Sequence, residues 1–418
     1  MNTAGELYQE KLERLEKAAR LEVPDRVPIA INTVYFPARY AGTTYHDMFY
    51  EPGKFTASAA KFAEDFDWDG AGFLRAFDSV TLGAALAAYD PSVAISVATA
   101  SVWGGAFPHT ILRDNYTSYP GEELPEDVEY QWYMKEPFMN ADEYDDFLAN
   151  PFGFLAGTVV PRAYESLGSP GSPEATGALI KLGIELGKLP SILSDFTTKM
   201  KEAACPPWYF ALAPNPLDYL GAFLRDFDDL LLDIHRKPEK VKAICDALTP
   251  VLAAVGKATG QISLEMTGSR RVFMPTWYNT YLSPEKYREF HWPYIKRMVA
   301  ELVDADFTPL LCYQGKHDHL LETILELPEK KVINWFEVVD LKRAKEVIGD
   351  HSCIAAGISP SLLIGGTPDK VEEAVREIMD ALKPGGGFIF TLPFNCLGDA
   401  KVENVRAMTD AVMEYGEY

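Results

Sequence analysis

Eight short apolar runs punctuate this chain, at 27–31, 68–74, 207–212, 271–275, 307–314, 332–336, 352–357 and 387–392. Stretches with apolar residues at helical spacing separate most of them. After 271–275, Tyr287, Phe290, Tyr294, Met298 and Leu302 fall on one helical side; after 352–357, Val371, Val375, Ile378 and Leu382 do the same. Strands alternating with helices pair in parallel, and eight such units close into a (β/α)8 TIM barrel. An open doubly wound sheet is the alternative, but no G-x-G-x-x-G follows the first run, which weakens its dinucleotide-binding version. The expectation is one α/β domain over 1–418, with an N-terminal helical extension. The alternation lapses between the second and third strands, so 75–205 is read as a large ordered insertion forming a cap or lid.

In a barrel the active site lies at the C-terminal ends of the strands. There the fifth run delivers Cys312, Tyr313 and Gln314 to Gly315, followed by His317, Asp318 and His319, and the eighth leads to Asn395 and Cys396. The two-residue strand period puts Cys312 and Gln314 on one face, with Cys396 arriving from another strand end. Two thiolates suit zinc, which keeps an open position in catalytic sites. Gln314, His317, His319 or Glu337 are candidates for a further ligand. Against this stands the ordinary role of buried cysteine as a small core residue, which is the reading for Cys205, Cys245 and Cys353. The two histidines are read as ligands, as an acid/base pair, or as part of a solvated turn.

Aromatic residues crowd the strand ends: Tyr35, Phe36 and Tyr40 after the first, Trp277, Tyr278 and Tyr281 after the fourth, Trp335 and Phe336 at the sixth. Lining a pocket, Tyr35, Trp277, Tyr278 and Trp335 would hold a flat apolar ligand. Packing alone is the competing explanation. Gly365-Gly366-Thr367-Pro368 is a helix start, with Thr367 as N-cap, and not a phosphate loop.

The net charge is −22. Such a surface repels nucleic acid and anionic membranes. No run approaches the ~20 apolar residues of a membrane span. Five cysteines at irregular spacing and a charged, amphipathic N-terminus point to a reducing cytoplasm.

The segments PEKYREFHWPYIKRMVAELVDADFTPLLCYQG and VVDLKRAKEVIGDHSCIAAGISPSLLIGGTPDKVEEAVREIMDALKPGGGFIF, with NCLGDAKVENVRAM, resemble the uroporphyrinogen decarboxylase superfamily. The nearer match is its cobalamin-dependent methyltransferase branch, with its L-H-x-C-G stretch and a later cysteine before a (T/K)-x-E-N-(I/V)-x-A-M helix. The likeness covers roughly 200–415, and 1–70 more loosely, and itself implies a TIM barrel. With the glycine registered on Gly315, the family histidine falls on Cys312, its cysteine on Gln314 and the later cysteine on Cys396. The zinc ligands implied are therefore Cys312, Gln314 and Cys396. The decarboxylase proper holds its porphyrin carboxylates with an arginine-rich stretch, where INTVYFPARYAG offers only Arg39.

The resemblance implies methyl transfer between a small molecule and the cobalt of a corrinoid, carried by a partner protein since no D-x-H-x-x-G motif occurs here. The aromatic lining points to a methoxylated aromatic donor, hence an O-demethylase, with His317, His319 or Tyr313 serving as proton donor and Glu337 counted with the catalytic groups as one that could complete the zinc site. Methylation of a thiol, decarboxylation of a small substrate and a non-catalytic binding role are the alternatives. A homodimer is left open.

Overall fold

The computed structural model describes residues 3–73, 79–394 and 397–418. Eight short parallel strands form its centre: β1 (Ala30–Asn32), β2 (Gly70–Gly72), β3 (Ala211–Leu212), β4 (Arg271–Thr276), β5 (Thr308–Lys316), β6 (Ile333–Val338), β7 (Cys353–Ala356) and β8 (Phe388–Phe390). β3 to β8 pair in chain order as one sheet, and β1 pairs with β2. Two single bridges join these pieces, Ile29 with Phe390 and Ala71 with Pro207. The Phe390 N–H donates to Pro28 O at 2.9 Å and the Trp208 N–H to Ala71 O at 3.0 Å, so the ring closes. The α/β barrel expected from the eight runs is the fold observed.

The alternation along each strand sorts side chains between two cores. Leu310 and Cys312 of β5 pack inside the ring with Phe273, Trp208, Trp335 and Ile389, whereas Leu311 and Tyr313 face the surrounding helices. Aromatic rings fill the interior: Trp335 lies 6.0 Å from Trp208 and 5.8 Å from Phe273, centroid to centroid. The barrel centre is therefore packed, not a pore.

Buried charge ties the lower end. Asp69, fully buried, accepts from Arg14 at 2.5 Å, Arg26 at 2.6 Å and the Ile29 N–H at 2.9 Å. Arg271, at the foot of β4, donates to Glu16 of the N-terminal helix Ala4–Ala19 and to the carbonyls of Pro207 and Trp208. The upper end is left to the loops.

Of the stretch 75–205, residues 75–78 lie outside the described ones. Helix Leu189–Glu202 packs beside Pro52–Phe66 and Pro238–Thr267, the place of a barrel helix following β2. The cap proper is built from helices such as Val80–Leu86, Pro91–Trp103 and Pro173–Leu186, with a small antiparallel ladder pairing Thr117 with Trp132 and Ser118 with Gln131. No helix among the described residues is long and apolar enough to cross a membrane.

Candidate functional site

A cavity of about 660 Å³ opens at the C-terminal ends of β4, β5 and β6. That lies within the roughly 300–1,000 Å³ usual for small-molecule sites. Its floor is Phe273 with Phe394, whose rings stack at 5.5 Å. Trp277, Tyr278 and Tyr281 form one wall after β4, and Phe223 and Phe227 another after β3. The cap ladder brings Tyr130 and Trp132, the latter 6.0 Å from Trp277. Gln314, Gly315 and Glu337 supply the polar side.

Gly315 sets that polar side. Its φ of +68° is a conformation that costs a residue with a Cβ, and a Cβ there would also meet Thr280 at 3.0 Å. The turn shifts the β5–β6 register between Tyr313 and Lys316, as a bulge does, and presents the Gly315 N–H to Glu337 Oε2 at 2.8 Å. Burial raises the Glu337 carboxyl above its ordinary value, although the Gly315 and Phe394 N–H groups both favour the charged form.

Cys312 is fully buried one layer below, on the same inner face. Burial, and then the charge of Glu337, hold its thiol well above the ordinary value. Pro275 stands opposite on β4 with no N–H to give, and Thr276 Oγ1 donates to the Cys312 carbonyl at 3.0 Å. Cys396 lies outside the described residues. Cys312, Gln314 and Glu337 thus offer a sulfur, an amide and a carboxylate, donor types that a zinc ion accepts.

The remaining sequence candidates are placed elsewhere. Tyr313 points outward, its hydroxyl donating to Asn334 Oδ1 at 3.2 Å, and its ring stacks on His317 at 3.9 Å. His317 is fully buried behind the strand, where burial drives its imidazole well below the ordinary value; it sits in no solvated turn. Parity counted from Cys312 does not carry past the Gly315 turn, which is why His317 misses the cavity. His319 is exposed to solvent outside the cavity lining. Trp335 is interior filling, with Nε1 donating to Leu392 O at 2.8 Å. Tyr35 is buried beneath the cap, its hydroxyl accepting from the Tyr130 N–H at 3.0 Å. Of the proposed ligand-binding aromatics, Trp277 and Tyr278 line the cavity.

Sequence reasoning passed over the support of that wall. Asp218 and His291 are both fully buried. Asp218 Oδ1 accepts the N–H groups of Trp277 at 2.7 Å and Tyr278 at 3.1 Å, and Oδ2 faces His291 Nε2 at 2.7 Å. Asn279 Nδ2 donates to Gln314 O at 2.9 Å, joining the aromatic wall to the polar one. An aspartate two residues into an apolar helix start was the available signal.

A second group that could hold a metal ion lies in the cap, where His109, Glu122 and Glu123 bring ligand atoms within 4.8 Å of one another. His109 Nε2 is 3.0 Å from Glu123 and 3.7 Å from Glu122, while Nδ1 faces Asp114 at 2.7 Å. Burial lowers the His109 pKa, but Asp114 and Glu123 outweigh it and lift it to about 9. These carboxylates thus favour the protonated imidazole.

The uroporphyrinogen decarboxylase (URO-D) family matches residues 214–415. Uroporphyrinogen decarboxylase of Syntrophotalea carbinolica is 26% identical over 192 residues, 46% of this chain and 54% of that protein. That of Coxiella burnetii is 23% identical over 186 residues, 44% of this chain and 49% of the relative. The chain thus spans about half the length of the curated relatives it matches. A methyltransferase from Methanosarcina mazei superposes with a TM-score of 0.63 at 13% identity, covering 97% of this chain and 98% of its own. That likeness is one of fold, and it extends over the cap as well as the barrel. Residues 214–415, the part that matches the uroporphyrinogen decarboxylase family, hold β4 to β8 and every described donor of the polar wall.

Proposed function

We propose that this protein is a zinc-dependent methyltransferase that moves a methyl group from a methoxylated aromatic compound to the Co(I) of a corrinoid held by a partner protein. The observation that carries this is the aromatic cavity at the strand ends with Gln314 and Glu337 on its polar wall, Cys312 lying two residues earlier on the same strand face as Gln314. A porphyrinogen bearing several carboxylates is a poor fit, since no described residue of the lining is basic.

Aryl ether cleavage releases a phenolate whose conjugate acid has a pKa of about 10, a poor leaving group without help. Zinc held by Cys312 and Cys396, with Gln314 as further ligand, would supply Lewis acidity at that oxygen. The chain's own residues do the rest. Trp277, Trp132 and Phe223 hold the ring and exclude water. Glu337 is the one acid of the described lining, and its raised pKa suits it to give a proton to the leaving oxygen. Tyr313, His317 and His319 have no such access. The fold likeness to the methyltransferase from Methanosarcina mazei supports methyl transfer as the reaction class.

Methylation of a thiol by the same apparatus is the second reading, favoured by the sulfur of Cys312 below the cavity floor. Incubation with a reduced corrinoid protein and separate methoxyaromatics, simple methylated compounds and thiols tests both. Loss of Co(I) absorbance with an aryl ether, and demethylated phenol in equal amount, is the expected result. Transfer only from the methylated corrinoid to a thiol would replace the leading reading with the second, and no transfer in either direction would refute both.

A further inference from the structure

We propose that the outer face of the cap helix Pro173–Leu186 is a contact between two copies of this chain, paired antiparallel about a two-fold axis at the level of Leu182. The interface is independent of the reaction assigned to the cavity.

Ser172 caps this helix, its side chain accepting the Ala175 N–H at 3.1 Å, and Ala175, Ala178 and Leu182 face the cap core. Those three positions complete an inward stripe. The opposite side of a surface helix is ordinarily charged. Here it carries Ile180 and Ile184, 60% and 59% exposed, with Leu179 beside them at 47%. A helix that is apolar on both sides is covered on both sides, and a cluster of exposed aliphatic side chains marks an interaction surface.

The order of residues points to the occupant. Gly177, Ile180, Ile184 and Gly187 read the same from either end, with Leu182 at the centre. A two-fold contact requires a patch of this kind, one that matches itself reversed. Two copies set antiparallel about that centre place Ile180 against Ile184 of the second copy. The same symmetry brings like flanks together. On one flank Leu179 faces Gly183 of the second copy, where the space a Cβ would take is open. On the other, Lys181 comes within a turn of Glu185 of the second copy, so the charges beside the stripe are complementary. Glycine inside a helix weakens it, and its use here lets two helix axes approach closely. Away from the stripe the copies repel, each carrying a net charge of −22. One helix pair is also a small interface. The pairing is therefore weak, with a Kd on the order of 10 µM.

Sedimentation velocity of the full-length protein from about 0.5 to about 200 µM should show monomer giving way to a closed dimer. Raising salt from about 50 to about 500 mM should tighten the pairing, because it screens the repulsion and leaves the apolar contact. Ile180→Glu changes an exposed position and should weaken pairing roughly 30-fold or more with an unaltered circular dichroism spectrum. Gly183→Leu separates a fitted contact from a merely sticky one. The new side chain has open space in the single chain, favours the helix and adds apolar surface, so general stickiness would grow. Filling the hollow that receives Leu179 should instead weaken pairing about tenfold. The register is read by mild oxidation: Ile180→Cys mixed with Ile184→Cys should give a disulfide-linked mixed dimer in preference to either linked homodimer. Monomer at every concentration overturns the proposal and leaves this face to a protein of different sequence. Pairing unmoved by Ile180→Glu puts the interface elsewhere and overturns it too. So do pairing strengthened by Gly183→Leu, pairing loosened by salt, and growth into open polymers.

Discussion

Replacing Cys312 by alanine is expected to abolish binding of the zinc proposed for the barrel and to lower methyl transfer by roughly 10³-fold or more, about 4 kcal/mol of transition-state stabilisation. Cys312 is the described sulfur on the inner face below the polar wall of the cavity, and a site that loses one of two thiolates is left with a single sulfur and weak oxygen donors. The fold should survive, because losing one buried sulfur opens a small void, costing on the order of 1–2 kcal/mol. Cys353 provides the control. It is equally buried and also faces the barrel interior, but from the start of β7, away from the cavity. Cys353→Ala should keep both zinc and activity at a similar cost in stability. Metal content by mass spectrometry decides the matter. One zinc retained in Cys312→Ala would end the case for a barrel zinc, and loss of that metal on changing His109 would move the centre to the cap.

The barrel was legible in the chain because each strand is a run bounded by turns and followed by a helical stripe. What closes it was not. β1 and β2 are three residues each, and the bridges at Ile29 and Ala71 rest on backbone groups that leave no pattern in side-chain type. The inward direction of Cys312 and Gln314 followed from strand period, and the same period fails at Gly315, where a left-handed residue resets the direction of the chain. Hence two histidines that look catalytic in the sequence stand outside the cavity, one sealed behind β5 and the other in solvent. Half of the aromatic wall could not be read at all. Trp132 comes from a two-residue cap ladder, and Phe223 from a π-helical turn at Gly221–Arg225, elements too short to announce themselves by periodicity. Trp335 shows the opposite error: an aromatic at a strand end that looks like a ligand contact and is interior packing.

Asp218→Ala should be the most damaging single change among the polar residues around the cavity. In the native fold this carboxylate satisfies three donors at once, two backbone N–H groups and the His291 imidazole, and neither it nor His291 reaches solvent. Removing it leaves all three without an acceptor. An orphaned buried donor costs about 1–3 kcal/mol, and a buried pair broken on one side about 3–5 kcal/mol, so a loss of roughly 4–5 kcal/mol is expected in urea unfolding. The effect should not stop at stability. Trp277 and Tyr278 owe their place in the cavity wall to these N–H bonds, so methoxyaryl binding should weaken together with the fold. Asp218→Asn separates the two contributions. Its amide oxygen can still receive the Trp277 and Tyr278 N–H groups while its NH2 faces His291, whose ring can present a bare nitrogen in the other tautomer. That variant should therefore lose less than half as much stability and keep the cavity wall. A cost below 1 kcal/mol for Asp218→Ala would show that the wall holds its shape by aromatic packing alone, and that the buried aspartate is incidental to the site.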